Sequence, residues 1–173
     1  MKQVIINTDG IKENEIDESA TRAKALMINS NNEILLGYGF GAYQFIGGHV
    51  NDNESITEGL KREIEEETGI IIEDDDLKPF MKIIHYTRNY RNTGKNRENI
   101  IFYYYIKNEK EVNKKKVNYD EWERAGKFTI KKVKMNDLEK VLLESASNSA
   151  MKQLIVEEML EVIKEYKKVL IEN

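Results

Sequence analysis

The chain has 173 residues, 34% of them charged, with a net charge of -4 and no cysteine. That length suits one full hydrophobic core, and the acidic balance argues against general binding to nucleic acid or to an anionic membrane. Without cysteine there is no disulfide, no zinc-thiolate site and no thiol nucleophile.

The N-terminus carries only the short apolar run Val4-Ile5-Ile6, and no signal peptide or spanning segment is readable, so a soluble protein of the cytoplasm is expected. Residues 3 to 7 read as a short edge strand, and the acidic stretch from Asn7 to Ser19 as a loop. Ala23 to Ile28 and Glu33 to Leu36 flank Asn29-Ser30-Asn31-Asn32, which predicts two strands joined by a turn. In Gly37-Tyr38-Gly39-Phe40-Gly41-Ala42-Tyr43 the glycines permit an irregular path. Its aromatics, Tyr43 among them, either stack on a base or pack against the sheet.

The next stretch, Gly47 to Ile70, runs from a glycine pair through a loop into a glutamate-rich helix. Ser55 and Glu58 form a capping box, and Gly69 stands where a helix ends. Within the helix Glu63, Glu66 and Glu67 follow i, i+3, i+4 spacing and share a face, whereas Glu65 points elsewhere. Like charges so placed cost a helix about 0.2 to 0.5 kcal/mol per pair, unless something positive covers them. A hard divalent cation such as Mg²⁺, which takes oxygen ligands, suits the cluster. The plain alternative is a solvated face with Glu58 and Arg62 as an i, i+4 surface pair.

The order of residues separates the two. Gly48, Glu54, Arg62-Glu63, Ile64, Glu66-Glu67, Gly69 and Ile70 stand at every defining position of a pattern that resembles the Nudix box. The resemblance implies a metal-dependent enzyme that hydrolyses a diphosphate linkage in a nucleoside diphosphate joined to another group. It puts Glu63, Glu66, Glu67 and the carbonyl of Gly47 on the family's positions for Mg²⁺ or Mn²⁺, and Arg62 and Glu54 on positions that orient the glutamates. One departure precedes the box: the family often has proline before the two glycines, and here Phe45-Ile46 stands there, which leaves the loop less preset. The implied fold is α/β, a Nudix-like α/β/α sandwich with a mixed sheet. In that reading a single domain fills 1–173, with its core from about residue 20 to about residue 145.

After the box, Pro79 to Tyr86 and Asn99 to Ile106 read as strands, the second a continuous apolar run with buried tyrosines. Their connection holds Arg88, Arg91, Lys95 and Arg97 and no acid. It is either a solvated hairpin tip or an arm on which Arg88 and Arg91 reach the substrate's phosphates. His49 and His85 read as surface or packing residues. Residues 109 to 116 read as a polar loop. In Tyr119-Asp120-Glu121-Trp122-Glu123 the resemblance offers Glu121 or Glu123 as a further metal ligand or general base. Phe128 to Val133 reads as a strand, and Asn136 with Glu139 as the cap of a short helix through Leu143. From about 149 to 171, Met151, Leu154, Ile155, Met159, Val162, Ile163, Tyr166 and Leu170 recur at helical spacing. This predicts a long helix over the sheet, with a homodimer contact as the alternative use of the stripe.

Two other functions stand beside hydrolysis. A non-catalytic Nudix-fold module would sense a nucleotide without cleaving it, and intact glutamates weigh against that. An isopentenyl-diphosphate isomerase-like enzyme would want a cysteine that this chain lacks.

Overall fold

The structure, a computed structural model, describes residues 1–146 and 149–172. Seven strands form one mixed sheet: β1 Lys2–Ile6, β2 Glu18–Ile28, β3 Glu33–Gly39, β4 Ala42–Phe45, β5 Lys78–Thr87, β6 Arg97–Lys107 and β7 Thr129–Lys134. The order is β1-β5-β6-β2-β3-β4, with β7 on β3. β1 runs parallel to β5 and β2 parallel to β6, while β5 and β6 form an antiparallel hairpin.

Both faces of the sheet are covered. On β2, Ala23, Ala25 and Met27 face helix α1 (Ile56–Thr68) in one apolar cluster, and Leu26 and Ile28 face α3 (Leu138–Ala146) and α4 (Ala150–Glu172) in another. The period of two along a strand makes this division, and burial on both sides explains the continuous apolar reading of β6. Tyr103 and Tyr104 are both buried, on opposite faces. The result is the expected α/β/α sandwich with a long C-terminal helix. Lys2 ties β1 to α4 through Glu161 at 2.9 Å and Glu165 at 3.0 Å. No helix among the described residues is long and apolar enough to cross a membrane.

Several expectations change. β2 begins at Glu18, inside the expected loop, because residues 18 and 19 pair with Arg97 and Glu98 of β6. The Gly37 to Tyr43 stretch is regular: β3 continues to Gly39 and turns at Phe40-Gly41, with φ of +51° and +71°, into β4. The short helix starts at Leu138, and the carbonyl of Asp137 accepts its first described bond, from Val141 N, at 3.0 Å. On α4 Val156, Met159, Val162, Ile163 and Tyr166 are buried, whereas Leu154 and Leu170 are exposed. The side chain of Met151 lies outside the described residues.

Candidate active site

Beyond β4 the chain leaves the β3 ladder and runs beside β2. Ala25 N donates to the Ile46 carbonyl at 2.8 Å, Ala23 N to that of Gly48 at 3.0 Å, and Val50 N to that of Thr21 at 3.0 Å. This close approach demands glycine at position 47: φ is +115°, and a Cβ would stand 2.3 Å from the Ala23 carbonyl oxygen. The loop then enters α1 through the expected capping box, Glu58 N donating to Ser55 Oγ at 3.2 Å and Ser55 N to the Glu58 carboxylate at 2.8 Å. Leu60 and Ile64 bury the inner face of α1 completely, which sets its roll. Glu65 is therefore exposed, Glu63 and Glu66 lie at the edge, and Glu67 is buried.

Arg62 organises the edge. Its Nε and Nη2 donate to the two oxygens of Glu54 at 3.1 and 2.8 Å, Nη1 donates to Glu63 and Glu66 at 2.9 Å each, and Nη2 also reaches the His49 carbonyl at 2.9 Å. This bidentate contact lowers the Glu54 carboxyl from 4.5 to about 2. The expected Glu58–Arg62 surface pair does not form, because Glu58 is engaged by the helix cap.

Glu67 turns away from that edge and accepts the Gly47 amide at 2.8 Å. Beside it lies a residue that the sequence reading missed: Lys24, from β2, donates to the carbonyls of Gly47 and, at 3.2 Å, Phe45. Burial pushes Glu67 up and Lys24 down, and the attraction between the two charges opposes both shifts. The available signal was Arg22 and Lys24 alternating inside an otherwise apolar strand, which puts two cations on one face of a central strand. Glu123, from the one-turn helix α2 (Glu121–Ala125), comes near enough to Glu67 for the two carboxyls to interact, and burial pushes Glu123 up. Glu121, the other candidate in that loop, is exposed.

Lys24 also faces Glu158 of α4, which His85 Nε2 and Tyr103 OH both contact. Burial pushes Glu158 up, and the hydrogen bonds from His85 and Tyr103 outweigh it, so its carboxyl lies below the usual value. His85 therefore has a partner, 73 residues away, that no local pattern announces. Arg22, His85, Glu158 and Tyr90 share the wall of a cavity of about 290 Å³. Tyr90 brings the β5–β6 tip to this cavity, but the two tip arginines have local partners. Arg88 donates to the Asp9 carbonyl at 3.3 Å, and Arg91 lies 5.2 Å from the Tyr90 ring. Tyr43 lines a separate cavity, with Glu123 on its wall.

Among the described residues no three carboxylates or imidazoles converge as a ready-made metal cage. The expected convergence of Glu63, Glu66 and Glu67 is thus incomplete, since Arg62 draws the first two and the Gly47 amide the third. The donor chemistry nevertheless fits a hard cation. The set is all oxygen, the Glu63 carboxylate lies against Gly48 where a Cβ would stand 2.5 Å away, and an ammonium already sits at the Gly47 carbonyl next to Glu67.

The NUDIX domain family matches residues 19–154. The chain belongs to the Nudix family and is by class a pyrophosphohydrolase. Solved structures similar to it include a C. elegans Ap4A hydrolase in a binary complex, at 15% identity over 89% of this chain and 99% of that one, with a TM-score of 0.52. A NUDIX hydrolase from Nitrosomonas europaea follows at 15% identity, 83% and 89% coverage and a TM-score of 0.50. The E. coli ORF135 protein is 16% identical over 75% of this chain and 83% of its own, with a TM-score of 0.50. At these identities the likeness speaks for the fold alone. No curated protein matches the chain.

Proposed function

We propose that this single-domain protein hydrolyses a diphosphate linkage in a nucleoside diphosphate derivative, with Mg²⁺ or Mn²⁺ held by Glu63, Glu66, Glu67 and the carbonyl of Gly47. One observation carries the proposal: an all-oxygen donor set gathers at the glycine loop, with the Glu63 carboxylate against Gly48 and Glu67 on the Gly47 amide at 2.8 Å. A divalent ion held by these oxygens would supply Lewis-acid chemistry, offsetting the charge of the diphosphate and lowering the pKa of water. Arg62, anchored by Glu54, holds Glu63 and Glu66 at a fixed spacing. Glu123, which lies near Glu67, is the proposed acceptor of the attacking water's proton. Tyr43, Arg88 and Arg91 are the proposed substrate contacts, the arginines at phosphates outside the carboxylate cluster. The lack of cysteine agrees with a cytoplasmic location, and a homodimer is proposed through the exposed Leu154, Leu170 and Ile171 of α4.

A second reading, a nucleotide sensor without catalysis, draws on the neutralisation of the carboxylates by Arg62 and Lys24. A hydrolysis panel of nucleoside triphosphates, nucleotide sugars and dinucleoside polyphosphates with Mg²⁺ decides between them. Metal-dependent cleavage is expected, and Glu63→Gln and Glu67→Gln should each remove most of it while far-UV circular dichroism stays native. Glu63→Gln is the cleaner variant, because Glu67→Gln also unpairs the buried Lys24. Wild-type turnover in both variants would reject the metal assignment, and tight nucleotide binding without cleavage across the panel would leave the sensor.

A further inference from the structure

Lys24 stands between carboxylates from two helices. Ala23 and Ala25 face α1, so the side chain of Lys24 leaves β2 on the opposite face, with Leu26 and Ile28, under α3 and α4. Its ammonium nevertheless ends at the loop before α1, where it donates to the Gly47 carbonyl and, at 3.2 Å, to that of Phe45. Glu67 and Glu63 of α1 attract it there, Glu158 of α4 attracts it as well, and Arg22 on the same strand face repels it.

The Gly47 carbonyl is also one of the oxygens assigned above to a divalent ion. Gly47 is buried and Lys24 half-buried, so an ammonium and a divalent ion on that one oxygen would repel each other with little screening. Lys24 has a flexible four-carbon stem and a second acceptor within its reach. The two oxygens of Glu158 carry one contact each, from Tyr103 OH and His85 Nε2. A carboxylate offers about four acceptor positions, which leaves room for an ammonium.

We propose that Lys24 is the resident counter-ion of the Gly47 loop and that an arriving divalent ion displaces it onto Glu158, which makes Glu158 a positioning residue for metal binding. The inference rests on the metal assignment made above. Before the ion arrives, the ammonium holds the Gly47 carbonyl and gives the buried Glu67 a neighbouring cation. Once it has arrived, Glu158 takes up the charge that would oppose it. Linkage makes the effect reciprocal, so whatever strengthens the contact of Lys24 with Glu158 tightens the metal by the same factor.

The experiment measures Mn²⁺ binding to the full-length protein by isothermal titration calorimetry, without substrate. Lys24→Met, which keeps an apolar stem, should bind Mn²⁺ roughly tenfold more tightly than wild type. It should also melt lower in EDTA, with the gap narrowing as Mn²⁺ is added. Glu158→Gln should bind roughly tenfold more weakly, and in the Lys24→Met background the same change should alter affinity less than about twofold. A carboxylate acting only as a nearby negative charge would weaken binding in both backgrounds, and that result would overturn the proposal. The displacement has a spectroscopic sign too. The chain holds two histidines, and the ring resonances of His85 are identified by comparison with His85→Gln. Saturating Mg²⁺ should shift them in wild type and not in Lys24→Met, because Lys24 arrives at the Glu158 carboxylate that His85 contacts. Unchanged or weaker Mn²⁺ affinity in Lys24→Met, with binding lost in Glu63→Gln, would overturn this inference alone. No Mn²⁺ binding in any form would overturn it together with the metal assignment.

Discussion

Replacing Arg62 by methionine keeps the apolar stem of the side chain and deletes the guanidinium, which isolates its electrostatic role. The lost contacts are the bidentate pair to Glu54, one bond each to Glu63 and Glu66, and one to the His49 carbonyl. Charge-assisted hydrogen bonds contribute about 1.5 to 3 kcal/mol each when sheltered, and exposed ion pairs about 0.2 to 1. Arg62 is 31% exposed and its contacts share one group, so they are not additive, and a total near 2 to 3 kcal/mol is expected. In a chain of this length that lowers Tm by roughly 4 to 12 °C in metal-free buffer. The variant leaves Glu54, Glu63 and Glu66 without their shared cation, so Mg²⁺ should raise its Tm more than it raises that of the wild type. Glu54 adds a pH signature. Its folded carboxyl lies at about 2 against an ordinary 4.5, so the stability it contributes is complete above about 4.5 and is lost as pH falls toward 2. Differential scanning calorimetry from pH 7 to pH 2.5, with EDTA and with Mg²⁺, measures both effects. An Arg62→Met protein that melts within about 1 °C of wild type in EDTA would refute the geometry assigned to the site.

Gly47→Ala forces a side chain into a left-handed conformation 2.3 Å from the Ala23 carbonyl oxygen, so urea unfolding should show a loss of about 3 kcal/mol. A loss below about 0.5 kcal/mol would mean that the loop does not run beside β2 as described. Arg88→Ala and Arg91→Ala should each lower kcat/KM roughly ten- to a hundredfold at low salt, and less as screening rises, if the tip leaves Asp9 and Tyr90 to meet phosphate. Both variants within about twofold of wild type at two ionic strengths would leave the tip as a solvated turn.

The helix and its carboxylates were readable because their determinants lie close together in the chain. Ser55 and Glu58 are three residues apart, and the i, i+3, i+4 rule puts Glu63, Glu66 and Glu67 on one face before any tertiary contact forms. Strand positions followed from apolar runs and turn residues in the same way, and the mixed sheet followed from the resemblance that the box carries. What failed were statements about partners. Glu58 was equally able to serve the cap or Arg62, and the geometry of the loop, which brings Glu54 to Arg62, decided between them. The glycines from 37 to 41 allow an irregular path, and pairing with Ala42 to Phe45 made it a hairpin.

By itself, then, the sequence determined the loop-helix box, the capping of α1 and the run of strands. Only the tertiary structure decided that Lys24 would meet the Gly47 carbonyl, Glu123 would reach Glu67, and Glu158 would join His85 and Tyr103. Helix and turn conformations are set by interactions over a few residues, which a linear pattern records. The partner of a buried charge depends instead on strand register and on which helix covers which face, and those are fixed by burial of the whole core.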